Sequence, residues 1–399
     1  MCRAILRILA PLLNATYGHP SPVQMRLAIL LSPLAVLLCS CGSSTQQTPS
    51  RLQQVANDGP GEWGSNAADR VHFELVASFG ADTEPAAATL AEPIGVATDT
   101  NGNVYVLDYK DNRLVSFTPA GDFRWATGRA GEGPGEFQNA FVLAASPTEL
   151  WVTNQMSTRF DRFSFEGEFL ESDPVSDFGL TGFASIIGFD GDDPVFSRSV
   201  PGKAAADISV FDISADSARA RFQIDLSDGV ELPSGFGLTP DIAYSGGLIT
   251  SGHVSHFLHR YQSVNGTMVR TVTRDDFRNM VGVGVHVSDG GMSSMYVLSR
   301  TGAPFKVGDG YWLSVSVWPT NVPDPDQYAA MPADSRPSVT RAYGISLFDD
   351  DGTLLWSQQY DESPIGDILL ADDGKTFFTS VDSPYPHVRQ YRLVVDDPV

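Results

Sequence analysis

The chain has 399 residues and carries 48 acidic residues (Asp and Glu) against 26 basic ones (Lys and Arg), which gives a formal net charge of −22 at pH 7. Its 23 Phe, 12 Tyr and 6 Trp supply enough apolar surface for a large core, which excludes a largely disordered chain. Phosphate recognition needs clustered Lys and Arg. The acidic excess therefore argues against binding of nucleic acid or of an anionic membrane surface.

The first element in chain order is an apolar run over residues 27–38, preceded by the single basic residue Arg26. About a dozen residues are too few to span a bilayer and are typical of the apolar core of a signal peptide. The cysteines are Cys2, Cys39 and Cys41, so none lies beyond residue 41. We therefore expect the folded body to contain no disulfide, no cysteine-ligated zinc and no thiol nucleophile.

The four residues that end this run, Leu38-Cys39-Ser40-Cys41, resemble the lipobox of bacterial lipoproteins. In that family the last cysteine becomes the lipidated first residue of the mature protein. The resemblance predicts a signal peptide over residues 1–40, with Met25 as an alternative start, and lipidation of Cys41. An ordinary cleaved signal peptide followed by a buried cysteine is the competing interpretation.

A flexible tether is predicted over residues 41–70, because this segment is rich in Ser, Gln, Gly, Asn and Pro. Gly42 follows the predicted lipidated cysteine, where Asp usually marks retention in the inner membrane of lipoproteins. The resemblance thus implies a lipid-anchored protein of the bacterial cell envelope at the outer membrane, and leaves open which side of that membrane the folded part occupies.

From residue 71 onward the sequence consists of short β-rich runs separated by Gly, Asp, Asn and Pro. The clearest stretch predicts four strands, and its Asn101-Gly102 pair is typical of a tight hairpin between the first two. A Phe-x-x-x-Gly pattern then marks the turn after the third strand and recurs at Phe117/Gly121, Phe163/Gly167 and Phe348/Gly352.

This spacing predicts the fold. A period near fifty residues with four strands per unit is typical of β-propeller blades, and six units can be counted. The last unit has only three strands, and the strand at residues 72–80 is available to complete it, which would leave no open sheet edge. The prediction is an all-β, six-bladed propeller over residues 71–397, with four-stranded blades and the N-terminal strand closing the last blade.

Residues 92–137 resemble the NHL repeat of six-bladed propellers: Pro93-x-Gly95 opens the first strand, the segment ending at Asp108 forms the second, and Gly-x-Gly-Pro-Gly-Glu-Phe follows the fourth. The match is strong over residues 91–173, whereas the later units retain only the spacing. This family uses the repeat as a scaffold for many functions, so the fold alone does not identify one.

By this resemblance, ligands or partners bind at the end of the ring that carries the loops between second and third strands. In this chain those loops are residues 108–112, 154–158, 253–257 and the insertion 319–341. The predicted binding face comprises Asp108, Tyr109, Lys110, Arg113, Arg159, His253, His256, Trp318 and Tyr328.

Arg113 and Arg159 occupy equivalent positions in their repeats, so two guanidinium groups could hold an acidic group of a ligand. An arginine at this position can equally tie neighbouring blades together through a carboxylate. The sequence leaves both interpretations open.

No metal or other cofactor is predicted with a complete ligand set. His253, His256 and His259 form the only histidine cluster, but three-residue spacing on an extended chain places neighbouring side chains on opposite sides. Glu92 lies where gluconolactonase-like propellers place a metal-binding Glu, yet their Ser-Pro-Asp-Gly signature is absent. Glu92, His253 and His256 therefore remain candidates for a divalent metal site.

These observations favour an exported binding or scaffolding module with an envelope protein or small ligand as its partner, and a non-enzymatic role. No catalytic residue is predicted, since no Gly-x-Ser-x-Gly elbow occurs. The alternative is a metal-dependent lactonase or lyase acting at the propeller channel.

Overall fold

A computed structural model describes most of the chain beyond residue 51: residues 52–64, 70–80, 85–154, 158–181, 184–200, 205–225, 241–253, 256–276, 283–287, 293–322, 324–369 and 374–396. The predicted signal peptide, Cys41 and the first part of the predicted tether lie outside these residues. Within them, no helix is both long and apolar enough to cross a membrane.

Two strands, β1 (Gln53–Asn57) and β2 (Val71–Phe79), precede the first complete blade. The first three blades are four-stranded antiparallel sheets whose strands follow one another in chain order. Their strands are β3 (Pro93–Thr98), β4 (Val104–Asp108), β5 (Arg113–Phe117), β6 (Phe123–Thr127); β7 (Val142–Ala145), β8 (Leu150–Asn154), β9 (Arg159–Phe163), β10 (Phe169–Pro174); and β11 (Ala184–Asp190), β12 (Asp193–Ser199), β13 (Ala205–Asp212), β14 (Ser217–Asp225).

The last three blades carry additions to this plan. A hairpin of β19 and β20 separates blades four and five, and the inner strand of blade five is split into the short pieces β21 and β22. The strands are β15 (Ile242–Ser245), β16 (Leu248–Ser251), β17 (Leu258–Gln262), β18 (Met268–Arg274); β19 (Val283–Val287), β20 (Ser293–Val297); β21 (Arg300–Thr301), β22 (Phe305–Lys306), β23 (Tyr311–Pro319), β24 (Arg341–Asp349), β25 (Leu354–Tyr360); and β26 (Asp367–Leu369), β27 (Thr376–Val381), β28 (His387–Val395).

Among the described residues, helical structure is confined to the connections. One short α-helix, α1 (Pro325–Ala330), lies between β23 and β24, and its first turn is capped by the Asp324 side chain, which accepts a hydrogen bond from the Gln327 backbone N–H. Single 3-10 turns occupy Ala86–Ala88, Val175–Phe178 and Ala333–Ser335.

The ring closes as the sequence predicts. β2 pairs antiparallel with β28, from Val71 opposite Val395 to Phe79 opposite Val388, and so becomes the fourth strand of blade six. The fully buried Phe79 ring lies 5.8 Å from the ring of Phe117 in blade one and 6.1 Å from that of Phe378 in blade six. The closing strand thus joins the last blade to the first through backbone hydrogen bonds and through the core.

The core is divided among the blade interfaces. In the described residues each of the six interfaces between neighbouring blades has its own cluster of buried apolar side chains. At the interface of blades two and three, for example, Trp151 and Phe160 pack against Phe196 and Phe211. Burial of apolar area at roughly 25 cal/mol per Å² makes these interfaces the main stabilising contribution.

The recurrent turn glycine is explained by the packing of one blade on the next. Gly121, Gly167, Gly266 and Gly352 all have positive φ, between 85° and 93°. A Cβ at Gly167 would lie 2.8 Å from the Trp125 ring, and one at Gly266 would lie 2.7 Å from the Phe222 ring, each on the outer strand of the preceding blade. A larger residue would be strained and would force the blades apart, which is why the Phe-x-x-x-Gly pattern repeats.

The folded region begins earlier than the sequence indicates. Residues 52–64, which we call the strap, lie on the propeller although they fall within the predicted tether 41–70. β1 adds to blade four as a fifth strand, parallel to β18, and the backbone N–H groups of Glu62 and Trp63 donate to carbonyls of Leu354 and Leu355 on β25 of blade five. The polar composition did not reveal these residues, because the backbone hydrogen bonds of the strap have no sequence signature and only a few apolar side chains, such as Val55 and Trp63, pack against the core.

Asn57 connects the strap to blade five. Its side-chain Nδ2 donates to the Gly352 carbonyl at 3.1 Å, and its Oδ1 accepts from the Leu354 backbone N–H at 2.8 Å. We expect Asn57→Ala to lower the free energy of unfolding by about 1–2 kcal/mol, because both backbone groups lose their partner. Chemical denaturation measures this change, with the exposed Gln54→Ala as the matched control. Equal stability of the two variants would show that the strap adds nothing to the ring.

Candidate functional site

The two ends of the ring are built differently. We call the loop face the end that carries the connections between second and third strands and those between successive blades; the hairpin face carries the tight turns. All innermost strands run in the same direction, so their first residues, such as Pro93 of β3 and Asp367 of β26, lie at the loop face. The binding face predicted from the sequence is therefore the loop face.

Asp108, at the end of β4, is fully buried and has a structural environment. Its carboxylate accepts hydrogen bonds from the backbone N–H groups of Ala91 and Glu92, the latter at 2.8 Å, and forms a salt bridge with Arg113 at 3.2 Å. The same guanidinium donates to the carbonyls of Ala87 and Thr89. The pair thus fastens the connection that leads into blade one.

Blade two repeats this arrangement. Asn154, equivalent to Asp108, accepts from the Gln138 backbone N–H at 2.9 Å, and Arg159 pairs with the buried Asp161 at 3.0 Å. Arg159 also donates to the carbonyls of Glu132, Gly133 and Glu136 in the preceding connection. The sequence left two interpretations open for Arg113 and Arg159, ligand binding and a structural contact within the ring. The geometry favours the structural contact.

Tyr109 and Lys110 are exposed on the loop face, between β4 and β5. The Tyr109 hydroxyl lies 3.3 Å from Oδ1 of Asn139 in the connection to blade two. These two residues are accessible to a partner, but they lie outside the channel.

The histidine cluster is arranged differently from the prediction for an extended chain. His253 is buried, and its ring lies 3.9 Å from that of His256 between centroids. His259 points into the interface of blades four and five, where its Nε2 lies 2.9 Å from the Ser314 hydroxyl. The expectation that neighbouring histidines lie apart is thus wrong for the first pair.

Trp318 and Tyr328 lie on either side of the start of the insertion 319–341. Trp318 is near the end of β23 and is buried in the cluster between blades four and five, which also contains Phe257. Tyr328 lies on α1, within the insertion, and its hydroxyl donates to the Pro337 carbonyl at 3.4 Å. α1 in turn lies against β19, so the insertion contacts the hairpin that connects blades four and five in the sequence.

The turn between β3 and β4, at residues 99–103, is an ordinary hairpin turn on the hairpin face. The Asp99 carboxylate accepts from the backbone N–H groups of Asn101 and Asn103 and from the Tyr105 hydroxyl. Although burial acts to raise the pKa of Asp99, these hydrogen bonds outweigh it and hold that pKa below its usual value. Throughout the described part of the chain, no three His, Cys, Asp or Glu side chains are arranged to hold a metal ion; this includes Glu92, His253 and His256.

A cavity lies in the channel of the ring. Its wall is formed by the inner strands of blades one to four, it has a volume of about 440 Å³, and its lining is mainly aliphatic, with Val96, Leu143, Ile187 and Ile242 as examples. Asp241, Ile242 and Ala243 also line a second cleft of about 150 Å³ between blades four, five and six. These three residues therefore form part of the wall of both the channel and the cleft.

Four polar side chains surround this cleft, and we call them the channel mouth: Asp241, Arg300, Tyr343 and Asp367. Asp241 precedes β15, whereas the other three lie at the start of β21, β24 and β26, so all of them lie toward the loop face. The closest pair is Arg300 Nε and Asp241 Oδ2, at 4.0 Å, with both side chains well exposed.

Two close backbone approaches position the channel mouth. The Gly252 N–H donates to the Asp241 carbonyl at 3.0 Å, and a Cβ at Gly252 would lie 1.8 Å from the Thr301 carbonyl oxygen. Gly366 has φ +86°, and a Cβ there would lie 2.4 Å from the Ser380 carbonyl oxygen, so this glycine allows β26 to begin with Asp367 in the channel. A side chain at Gly252 would require a shift of blade five, and one at Gly366 would require a shift of the neighbouring strand β27 within blade six.

None of these four residues was identified from the sequence as a candidate site residue. They come from three blades whose repeat motifs are weak, and Arg300 lies on a two-residue strand that carries no periodicity of its own. The one signal available was the position of Asp367 directly after Gly366 at the start of a predicted strand.

A model of the NHL repeat matches residues 90–117, which form the end of the connection into blade one and strands β3 to β5. The chain is a six-bladed β-propeller with an NHL repeat in its first blade. No protein with a curated description matches the sequence.

Solved structures resemble the propeller at low sequence identity. An exported protein of Bacteroides fragilis aligns with a TM-score of 0.52 and 9% identity over 86% of this chain and 100% of its own. A DUF4221-family protein of Bacteroides vulgatus gives 0.48 and 9% over 82% and 99%, and virginiamycin B lyase of Staphylococcus aureus gives 0.41 and 11% over 81% and 100%. The first of these similarities supports the fold alone.

The buried His259 contributes to the pH dependence of the folding stability. Ser314 Oγ donates to the Gly302 carbonyl at 3.1 Å and so accepts from His259 Nε2, while His259 Nδ1 has no partner in the described residues. Burial, aided by the Arg274 charge, lowers the pKa of His259 to about 3. Between the ordinary value of 6.5 and about 3, the unfolded chain binds a proton that the folded chain does not, so stability falls as the pH falls.

We therefore expect His259→Gln to remove up to about 1.4 kcal/mol per pH unit from the slope of stability against pH below 6.5. Denaturation at pH 7, 6 and 5 measures this slope, and His72→Gln, at an exposed histidine of β2, serves as the control. An unchanged slope in His259→Gln would contradict the assignment of a buried neutral imidazole.

Proposed function

We propose that this chain is an exported, lipid-anchored β-propeller of the bacterial envelope that binds a ligand or partner on its loop face. The channel mouth carries the proposal. Its polar side chains surround a cavity, whereas the arginines predicted from the repeat are occupied by contacts within the ring. A concave, mainly apolar site with a few polar groups is the usual form of a small-molecule site.

Export and anchoring rest on the sequence at residues 25–41, with its apolar run and lipobox-like end. The similarity to an exported Bacteroides protein is in keeping with this location. Anchoring at the outer membrane through Cys41 follows from the lipobox and from Gly42 after it.

The first test concerns the anchor. We expect Cys41→Ser to move the protein from the membrane fraction to the soluble fraction and to abolish incorporation of a labelled fatty acid, because the acceptor thiol is lost. Cys39→Ser is the matched control and should remain labelled in the membrane. Labelling of Cys41→Ser at the level of the parent would refute lipidation at this residue.

The second test determines which end of the ring, the loop face or the hairpin face, binds the ligand or partner. A benzophenone amino acid is placed in cells at Tyr109 or Lys110 on the loop face, and at Asn101 or Asp351 on the hairpin face, all of which are exposed. We expect ultraviolet light to produce specific adducts from the loop-face positions only. Adducts restricted to the hairpin-face positions would contradict the proposed binding face.

A further inference from the structure

The cleft at the channel mouth combines an apolar interior with charges of both signs at its rim. Its interior is lined by apolar residues from blades four to six, among them Ile242, Phe305, Val315, Val317 and Ile368. Its volume of about 150 Å³ corresponds to about five water molecules at ~30 Å³ each. A small organic molecule fits this space, whereas a folded polymer segment does not.

The charges at the rim have few partners within the described residues. Arg300 has only the Asp241 carboxylate, at 4.0 Å, and its side chain is 62% exposed. No hydrogen bond or ion pair joins Asp367 or the Tyr343 hydroxyl to another described residue, unlike Asp108 and Asp161, which have several partners each. A ligand can therefore pair with these groups without first breaking a strong internal contact.

The combination of one guanidinium with two carboxylates restricts the ligand. A phosphate or a plain carboxylate would meet Arg300 but would be repelled by Asp241 and Asp367. A simple cation would be repelled by Arg300. A molecule with an anionic and a cationic group close together satisfies both signs, and an apolar substituent on it would fill the cleft.

We infer that the channel mouth binds a free α-amino acid with an apolar side chain, a ligand class that deepens the proposed function and rests on it. Arg300 pairs with the α-carboxylate, because a guanidinium fork matches a carboxylate in a bidentate geometry. Asp241 and Asp367 accept from the ammonium group, and Tyr343 donates its hydroxyl to the carboxylate. The side chain of the ligand lies against Val315, Val317 and Ile368.

The contacts between neighbouring blades make this arrangement rigid before a ligand arrives. Asp241, Arg300 and Asp367 come from blades four, five and six, and the Gly252 and Gly366 approaches fix the first and last of them. The Thr301 N–H also donates to the His253 carbonyl at 2.8 Å, which holds β21 beside the His253 loop. A preformed site loses less conformational entropy on binding.

The test is isothermal titration of the purified full-length protein with L-leucine, N-acetyl-L-leucine, L-leucinamide and leucylglycine. We expect leucine to bind, and both N-acetylleucine and leucinamide to bind at least about tenfold more weakly, because each lacks one charge that the site pairs. Leucylglycine, in which the carboxylate is displaced by one residue, should also bind more weakly than leucine.

Variants locate the site. Arg300→Gln and Asp367→Asn should each weaken leucine binding by at least about tenfold. Arg129→Gln is the matched control, since Arg129 is 80% exposed on the loop face outside the channel, and it should bind leucine like the parent. Thermal unfolding of each variant, compared with that of the parent, separates loss of binding from loss of folding.

Three results would overturn the inference: no binding of leucine at millimolar concentration, equal affinity for leucine and N-acetylleucine, or unchanged affinity in Arg300→Gln. Tighter binding of leucylglycine than of leucine would overturn it in favour of a peptide N-terminus. If leucine fails while the loop-face crosslinks persist, only the ligand class is refuted. If both fail, the proposed function fails as well.

Discussion

The antiparallel pairing of β2 with β28 is the constraint on which the rest of the molecule depends. Without β2, the last blade has three strands and the edge of β28 is exposed; with it, Phe79 packs against both Phe117 and Phe378 and the ring is continuous. The strap extends the same segment across the outer strands of blades four and five. A closed ring has no open edge at its seam, which is how propellers avoid edge-to-edge association.

The channel mouth depends on the packing of blades four, five and six. Asp241, Arg300 and Asp367 lie on these three successive blades, and the last of them is the blade that β2 completes. No element of the site is local in sequence, and separation of blade six from blade five would move Asp367 away from Arg300. Because β2 is the fourth strand of blade six, the integrity of the blade that carries Asp367 depends on a strand that precedes blade one in the sequence.

The fold could be predicted because its determinants are local and repeated. The Phe-x-x-x-Gly turns follow from the packing of each glycine on the preceding blade, and the missing fourth strand of blade six identified β2. The site could not be predicted in the same way. Arg113 and Arg159 looked available because the carbonyls that they bind, such as those of Ala87 and Glu136, are backbone groups and have no sequence signature. The spacing of His253 and His256 did not show that their rings meet, and the position of Arg300 depends on contacts between strands that are distant in the sequence.

The most direct test of this account compares two truncations of the full chain in thermal unfolding followed by calorimetry. One removes the strap, residues 52–64, and keeps β2; the other removes everything up to residue 84. The account predicts that the first variant keeps a single cooperative transition at a moderately lower midpoint. The second should lose that transition or aggregate, because β28 has lost its partner and Phe79 is gone. An unfolding midpoint for the second variant equal to that of the parent would contradict closure of the ring by β2.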